Sequence, residues 1–285
     1  MIKHLKYFFQ SIFIYLFFLV AKVIGLNLSR KIFSYIFLKF ASKFRSGEII
    51  EKNLKIYSKE ISQKKIENIS SSMWRNYGMT FIEYIFLNSF QKNNSNISIK
   101  NEKLLENIIS KKKPVIFVSG HFANYELMSM QIVKKKVKLA TIYRPLNNYF
   151  VNPLMEYLRK KYVCGNQIKK GIGGVKEALQ YLDKGYSLAM MIDQRVSEGE
   201  KINFFNKPAL TTTLPAQLSL KLGLSIVPVY IERLENNFFN IEFLNEIKPT
   251  DYKDKIELTE KLNQILESMI IKNPYQWIWT HNRWK

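Results

Sequence analysis

Four short apolar runs constrain this chain more than any other feature: PVIFVSG (114–120), VKLATIYR (137–144), YSLAMMID (186–193) and SIVPVYIER (225–233). Each is strand-like in length and composition and ends in glycine or charged residues. Helical patterns separate them, at about 124–135, 151–161, after the GIGG of 171–174, and at 214–222. Further helical patterns cover 48–90, 102–110 and 257–271, a polar break covers 91–101, and another strand is expected at 239–247. Strands alternating with helices predict an α/β fold with a central, mostly parallel sheet flanked by helices.

In open sheets of this kind, ligands bind beyond the carboxyl ends of the strands. Those ends carry Gly120-His121, Arg144-Pro145, Asp193-Gln194-Arg195 and Glu232-Arg233. The first continues as VIFVSGHFANYEL, with Glu126 five positions after His121. Residues five apart do not share a helix face. The two side chains meet only if His121 sits in the strand-to-helix turn and Glu126 in the first helical turn. There a neutral imidazole takes a proton from an alcohol near neutral pH, and a carboxylate on its other nitrogen holds the tautomer. The helix N-terminus adds backbone N–H groups suited to a phosphate or oxyanion. On spacing alone, a polar turn that opens a helix accounts for HFANYE first, since H-x-x-x-x-E arises readily by chance. No G-x-S-x-G elbow occurs, and the neighbours of Ser119 do not make one. A histidine–carboxylate pair with no enzyme nucleophile suits direct attack by a substrate hydroxyl on an activated acyl group.

The N-terminus carries a second constraint. YFFQSIFIYLFFLVAKVIGL, Tyr7 to Leu26, is interrupted only by Gln10 and Lys22 and has about the 20 residues that cross a bilayer core. No A-x-A-type cleavage site follows, which disfavours a removed signal peptide. Lys3 and Lys6 precede the span, while Arg30, Lys31, Lys39, Lys43 and Arg45 follow it. The heavier positive flank after the span predicts a cytoplasmic body behind a membrane-anchoring helix. The basic, apolar stretch at 32–40 suits a membrane surface; the alternative is a buried helix hairpin. Residues 1–45 are expected to form this anchor and its juxtamembrane helix, and 46–285 the enzyme domain.

The charge is +21, from 44 basic and 23 acidic residues, which favours anionic partners without choosing among them. Abundant Lys, Asn, Ile, Phe and Tyr point to A/T-rich codons as one source of the excess. A single cysteine, Cys164, excludes a disulfide framework, and with three scattered histidines no zinc cluster of ordinary spacing is formed.

Taken in order, GHFANYE, YRPLNN, NPLMEYLRKK, the GIGG helix, MMIDQR, FFNKPALTTT and PYQWIWTHNRWK resemble the bacterial lipid A biosynthesis acyltransferases. These are the late enzymes that acylate a Kdo-bearing lipid A precursor. The first motif also resembles that of glycerolipid acyltransferases. The likeness runs from about residue 115 to the C-terminus, and QWIWTHNRWK is its most distinctive part. It implies a glycerolipid-acyltransferase-like fold at the bacterial inner membrane and His121 as general base with Glu126 in support. It implies an acyl-carrier-protein thioester as donor, a glycolipid acceptor, and neither metal nor cofactor. Arg144, Lys170, Asp193, Arg195 and Arg233 lie in or beside matching segments and are expected to bind substrate, the arginines through phosphate or thioester oxygen. An acidic carrier and an anionic membrane surface would both use the basic charge; nucleic acid is not an expected partner.

Two departures bear on the acceptor. Lys169 and Lys170 stand where relatives carry an arginine before the GIGG-like helix, and the tail reads HNRWK where many read HRRWK. The family also acylates other membrane glycolipids. GIGG lacks the third glycine of a dinucleotide fingerprint, where Lys176 stands. FFNKPALTTT is expected to form a turn and helix cap, with Thr211 to Thr213 available to a headgroup phosphate. Trp277, Trp279 and Trp284 are expected to pack the core, and His281 to be structural.

Overall fold

The structure is a computed structural model and describes residues 2–40, 47–92, 96–111 and 113–285. Lys43, Arg45 and the expected boundary at 45/46 lie outside the described residues. Helices α1 (Ile2–Ile24), α2 (Leu26–Phe40), α3 (Gly47–Tyr57), α4 (Gln63–Glu83) and α5 (Leu87–Phe90) come first. There follow β1 (Ile97–Lys100), α6 (Glu102–Ser110), β2 (Ile116–Ser119), α7 (Glu126–Lys134), β3 (Leu139–Tyr143), α8 (Asn152–Tyr162), β4 (Asn166–Lys169) and α9 (Ile172–Asp183). The chain ends with β5 (Ser187–Met191), β6 (Glu200–Phe204), β7 (Lys207–Thr211), α10 (Leu214–Leu222), β8 (Ile226–Arg233), β9 (Phe239–Phe243) and α11 (Lys255–Lys272).

Among the described residues, seven strands form one sheet in the order β1-β9-β8-β2-β5-β3-β4. All neighbours are parallel except β8 and β9. Only a short turn, Glu235–Asn237, joins those two, and a short connection can only reverse the chain. The expected α/β architecture is present. The edge strands β1 and β4 fall in polar sequence, because an edge needs no apolar run. Strands β6 and β7 form a separate hairpin whose loop residues Phe205 and Asn206 are both left-handed (φ 51° and 55°), as a two-residue hairpin loop requires. FFNKPALTTT thus supplies the hairpin turn and strand β7, and Thr213 stands at the N-cap position of α10 without a side-chain capping hydrogen bond.

Alternation along the strands divides the core. Phe117, Ala189, Val227 and Val229 face α5–α8 and the end of α4. Ile116, Val118, Leu188 and Met190 face α9–α11 and the C-terminal tryptophans. The N-terminal helices are fastened to this body. Helix α2 lies on α4 at Gly78, where an added Cβ would stand 2.3 Å from the Phe33 carbonyl oxygen. Backbone cannot yield at such a contact, so Gly78→Val is expected to cost about 1–3 kcal/mol; thermal unfolding against wild type measures it.

A buried ionic cluster ties the same helices to the sheet. Glu83 of α4, fully buried, accepts from Arg30 Nε of α2 at 2.6 Å and from Arg233 of β8 at 2.6 and 3.0 Å. Asn76 and Thr80 accept two further Arg233 donors. Asn124, in the turn after β2, donates to the second Glu83 oxygen at 2.9 Å. The cluster thus reaches from α2 to the loop bearing His121.

Candidate active site

Strands β2 and β5 are parallel neighbours in a register that pairs Ser119 with Met191. Two residues beyond, the same register sets His121 beside Asp193. His121 Nδ1 lies 2.7 Å from Asp193 Oδ1. The other carboxylate oxygen accepts the His121 backbone N–H at 2.7 Å and the Trp277 Nε1–H at 2.9 Å. Asp193 is 1% exposed. Gly120 permits this approach: a Cβ there would lie 2.7 Å from the Phe122 ring and 3.3 Å from Asp193 Oδ2. The turn is held in place at Ala123, left-handed at φ 42°, whose carbonyl accepts from Thr80 and whose N–H donates to Gln276 O. Non-glycine residues persist in that region only where the surroundings impose it.

The elements of HFANYE are where spacing placed them, with His121 in the turn and Glu126 opening α7. The direct support of His121 by Glu126 that the resemblance implies is replaced, however: the partner of His121 Nδ1 is Asp193. Glu126 Oε1 instead accepts Arg159 Nε at 2.7 Å and the Tyr84 hydroxyl. Arg159 also donates to the Tyr84 hydroxyl at 2.8 Å. The Tyr125 ring meets His121 edge-on at 4.7 Å, and its hydroxyl is 3.2 Å from that of Tyr84.

Burial by itself would push the Asp193 carboxyl up. The His121 charge and hydrogen bonds, with the Trp277 N–H, outweigh it and hold the carboxyl below its usual range. Burial likewise pulls His121 down, but the Asp193 charge and hydrogen bond, reinforced by Glu126, set its pKa above the ordinary value. With Nδ1–H donated to a carboxylate, Nε2 is the basic nitrogen.

A half-open cavity of about 390 Å³ lies against His121 and Glu126. Met128, Ile142, Met190 and Met191 contribute apolar wall, while Arg144, Lys170 and Arg159 contribute positive charge. Arg144 and Lys170 are exposed at its rim; burial, then Arg144, holds the Lys170 pKa below the usual lysine value. Arg159 is 8% exposed, and its Nη1 is buried with no hydrogen-bond partner among the described residues. Arg195 and Arg233 do not line this cavity. Arg195 extends to the C-terminal segment, donating Nε–H to Lys285 O at 3.2 Å and its backbone N–H to His281 Nε2 at 2.8 Å. Arg233 ends β8, on the side of β2 away from β5, and is consumed by Glu83. Thr211 is buried under Arg283, which donates to its hydroxyl at 2.7 Å.

Sequence reading did not single out Arg159, Tyr84 or the Trp277 N–H. Arg159 opens the run Arg159-Lys160-Lys161, which reads as a solvated helix end; only burial separates it from its exposed neighbours. Trp277 packs the core as expected, and its polar edge is also spent on Asp193.

A family model described as "Bacterial lipid A biosynthesis acyltransferase" matches residues 1–285. A protein of Haemophilus influenzae named "Lipid A biosynthesis acyltransferase" is 22% identical over 256 residues, 89% of this chain and 82% of that one. Among solved structures, the 1-acyl-sn-glycerophosphate (LPA) acyltransferase PlsC of Thermotoga maritima aligns with a TM-score of 0.43 at 13% identity, covering 89% of this chain and 96% of that one.

Proposed function

Since the chain belongs to the bacterial lipid A biosynthesis acyltransferases, we propose that it transfers a fatty acyl group from an acyl-carrier-protein thioester to a hydroxyl of a lipid A precursor. The observation that carries this reading is the His121–Asp193 pair, 2.7 Å apart at the edge of the cavity. His121 Nε2 takes the acceptor's hydroxyl proton as the oxygen attacks the thioester carbonyl. The tetrahedral intermediate collapses with cleavage of the carbon–sulfur bond, and the imidazolium returns its proton to the departing thiolate. An ester and a free carrier thiol result. Asp193 holds the tautomer and stabilises the imidazolium.

Arg159 lines the cavity, and its guanidinium, fixed by Glu126 and Tyr84, supplies positive charge for the developing oxyanion. Arg144 and Lys170 at the rim bind phosphate of acceptor or carrier. Lysine at 170 keeps the charge but lacks the bidentate fork of arginine, which favours, as a second reading, transfer to another membrane glycolipid or phospholipid. The enzyme works at the cytoplasmic face of the inner membrane.

The test uses detergent-solubilised protein, carrier thioesters of several chain lengths, and a Kdo-bearing lipid A precursor beside other membrane glycolipids and phospholipids. Products are read by mass, with His121→Ala in parallel. A gain of one acyl group on the precursor, lost in the variant, is expected. A gain on a different lipid moves the assignment to that acceptor. Free fatty acid as the sole product replaces transfer with thioester hydrolysis. Transfer undiminished in His121→Ala removes the histidine from the chemistry.

A further inference from the structure

Helix α1 is long and apolar enough to cross a membrane, yet it does not stand clear of the protein. Its inward stripe, Tyr7, Ser11, Ile14, Phe18 and Ala21, repeats at helical spacing along the whole helix. From its N-terminal end to its middle, Asn148 donates to Tyr7 O at 2.9 Å, the Tyr15 hydroxyl donates to Phe150 O at 2.8 Å, and Tyr149 bonds the His4 ring. Near the other end, Phe18 packs on Phe81 and Lys22 lies 4.7 Å over the Phe86 ring. The 23 residues span about 34 Å, so the folded body accompanies α1 from end to end. Were α1 to cross a bilayer, Asn148 and the backbone of 148–150 would be drawn through hydrocarbon with it, at a high cost in unsatisfied polar groups. A helix lying flat in the interface avoids that cost.

The contacts near the N-terminal end also involve the cavity. Arg144, Pro145, Leu146 and Asn147 line its mouth, and the next three residues hold α1. Leu146, Tyr149 and Phe150 are exposed, as are Phe9, Ile12, Phe13, Leu16 and Val20 on the outer side of α1. Exposed cations lie on α1, at Lys3 and Lys6, and at the cavity rim, at Arg144 and Lys170. They complement anionic headgroups. We propose that α1 lies in the plane of an anionic bilayer surface and that the 145–150 loop enters the same interface, so that the cavity opens directly onto lipid. The proposal does not depend on which reaction the cavity performs.

Trp74, Trp277, Trp279 and Trp284 are all buried, so a tryptophan introduced at the surface reports its own surroundings. Leu5→Trp, Phe13→Trp, Val20→Trp and Phe150→Trp, each at an exposed position, are placed singly in the full chain. Each is mixed with phosphatidylcholine–phosphatidylglycerol vesicles brominated either near the headgroup or deep in the acyl chain. The expected result is a blue shift and loss of emission at all four positions, strongest with the shallow bromines. Deep quenching at Phe13→Trp with shallow quenching at Leu5→Trp and Val20→Trp would overturn the proposal in favour of a crossing helix. Quenching along α1 but not at Phe150→Trp would hold the mouth off the membrane. A blue shift without quenching that follows protein concentration would assign the face to a second copy of the chain.

Discussion

Asp193→Asn is expected to lower turnover by about 10⁴-fold, the scale seen when a catalytic histidine is locked in the wrong tautomer, while leaving thermal stability nearly unchanged. The geometry dictates which way the new amide points. Asp193 Oδ2 receives two donors, the His121 backbone N–H and the Trp277 Nε1–H. An asparagine must present its carbonyl oxygen to that pair, which turns its NH₂ toward His121 Nδ1. Nδ1 then has to accept, the ring proton moves to Nε2, and the nitrogen facing the cavity is no longer a base.

The pH profile is a second readout. As the proposed base, His121 acts only when neutral, so activity is expected to rise with pH through a midpoint above the ordinary histidine value, in line with its raised pKa. Removing the Asp193 charge is expected to move that midpoint to lower pH. Residual Asp193→Asn activity with the wild-type midpoint would sink the dyad, as would a variant of undiminished turnover.

The largest stability effect is expected at Glu83. Glu83→Ala leaves Arg30 and Arg233, 4% and 7% exposed, with no carboxylate between them. Removing one partner of a buried ion pair costs about 3–5 kcal/mol. For a chain of 285 residues that is a fall of roughly 5–8 °C in Tm. Asn124 loses its acceptor as well, so the turn after His121 loosens and turnover is expected to drop even below the melting transition. A triple variant, Arg30→Met with Glu83→Leu and Arg233→Met, separates charge from packing. It is expected to recover most of the lost stability, because no desolvated charge remains. If the triple variant melts as low as Glu83→Ala, specific hydrogen bonds rather than uncompensated charge account for the loss.

Much of the scaffold was legible from local pattern. Ile116–Ser119, Leu139–Tyr143, Ser187–Met191 and Ile226–Arg233 are buried strands with little polar interruption, and solvent exclusion on both faces leaves that mark in any sequence. Helices α6 and α10 begin and end where expected, since amphipathic spacing and a following Gly223 in the left-handed region mark them locally. Strands β1 and β4 left no such trace, being edges, and the β6–β7 hairpin was hidden because its loop places Phe205, not glycine, at positive φ.

The sequence by itself determined that a histidine stands at the end of a central strand, with a glutamate in the first turn of the next helix. That is local information, carried by the switch from strand to helix pattern. Which carboxylate meets the imidazole was decided 72 residues away, by a sheet register that no local spacing encodes. The tertiary structure likewise assigned Glu126 to Arg159 and Arg233 to Glu83. Buried charges must be paired, and the available partners become known only when the helices and strands have packed.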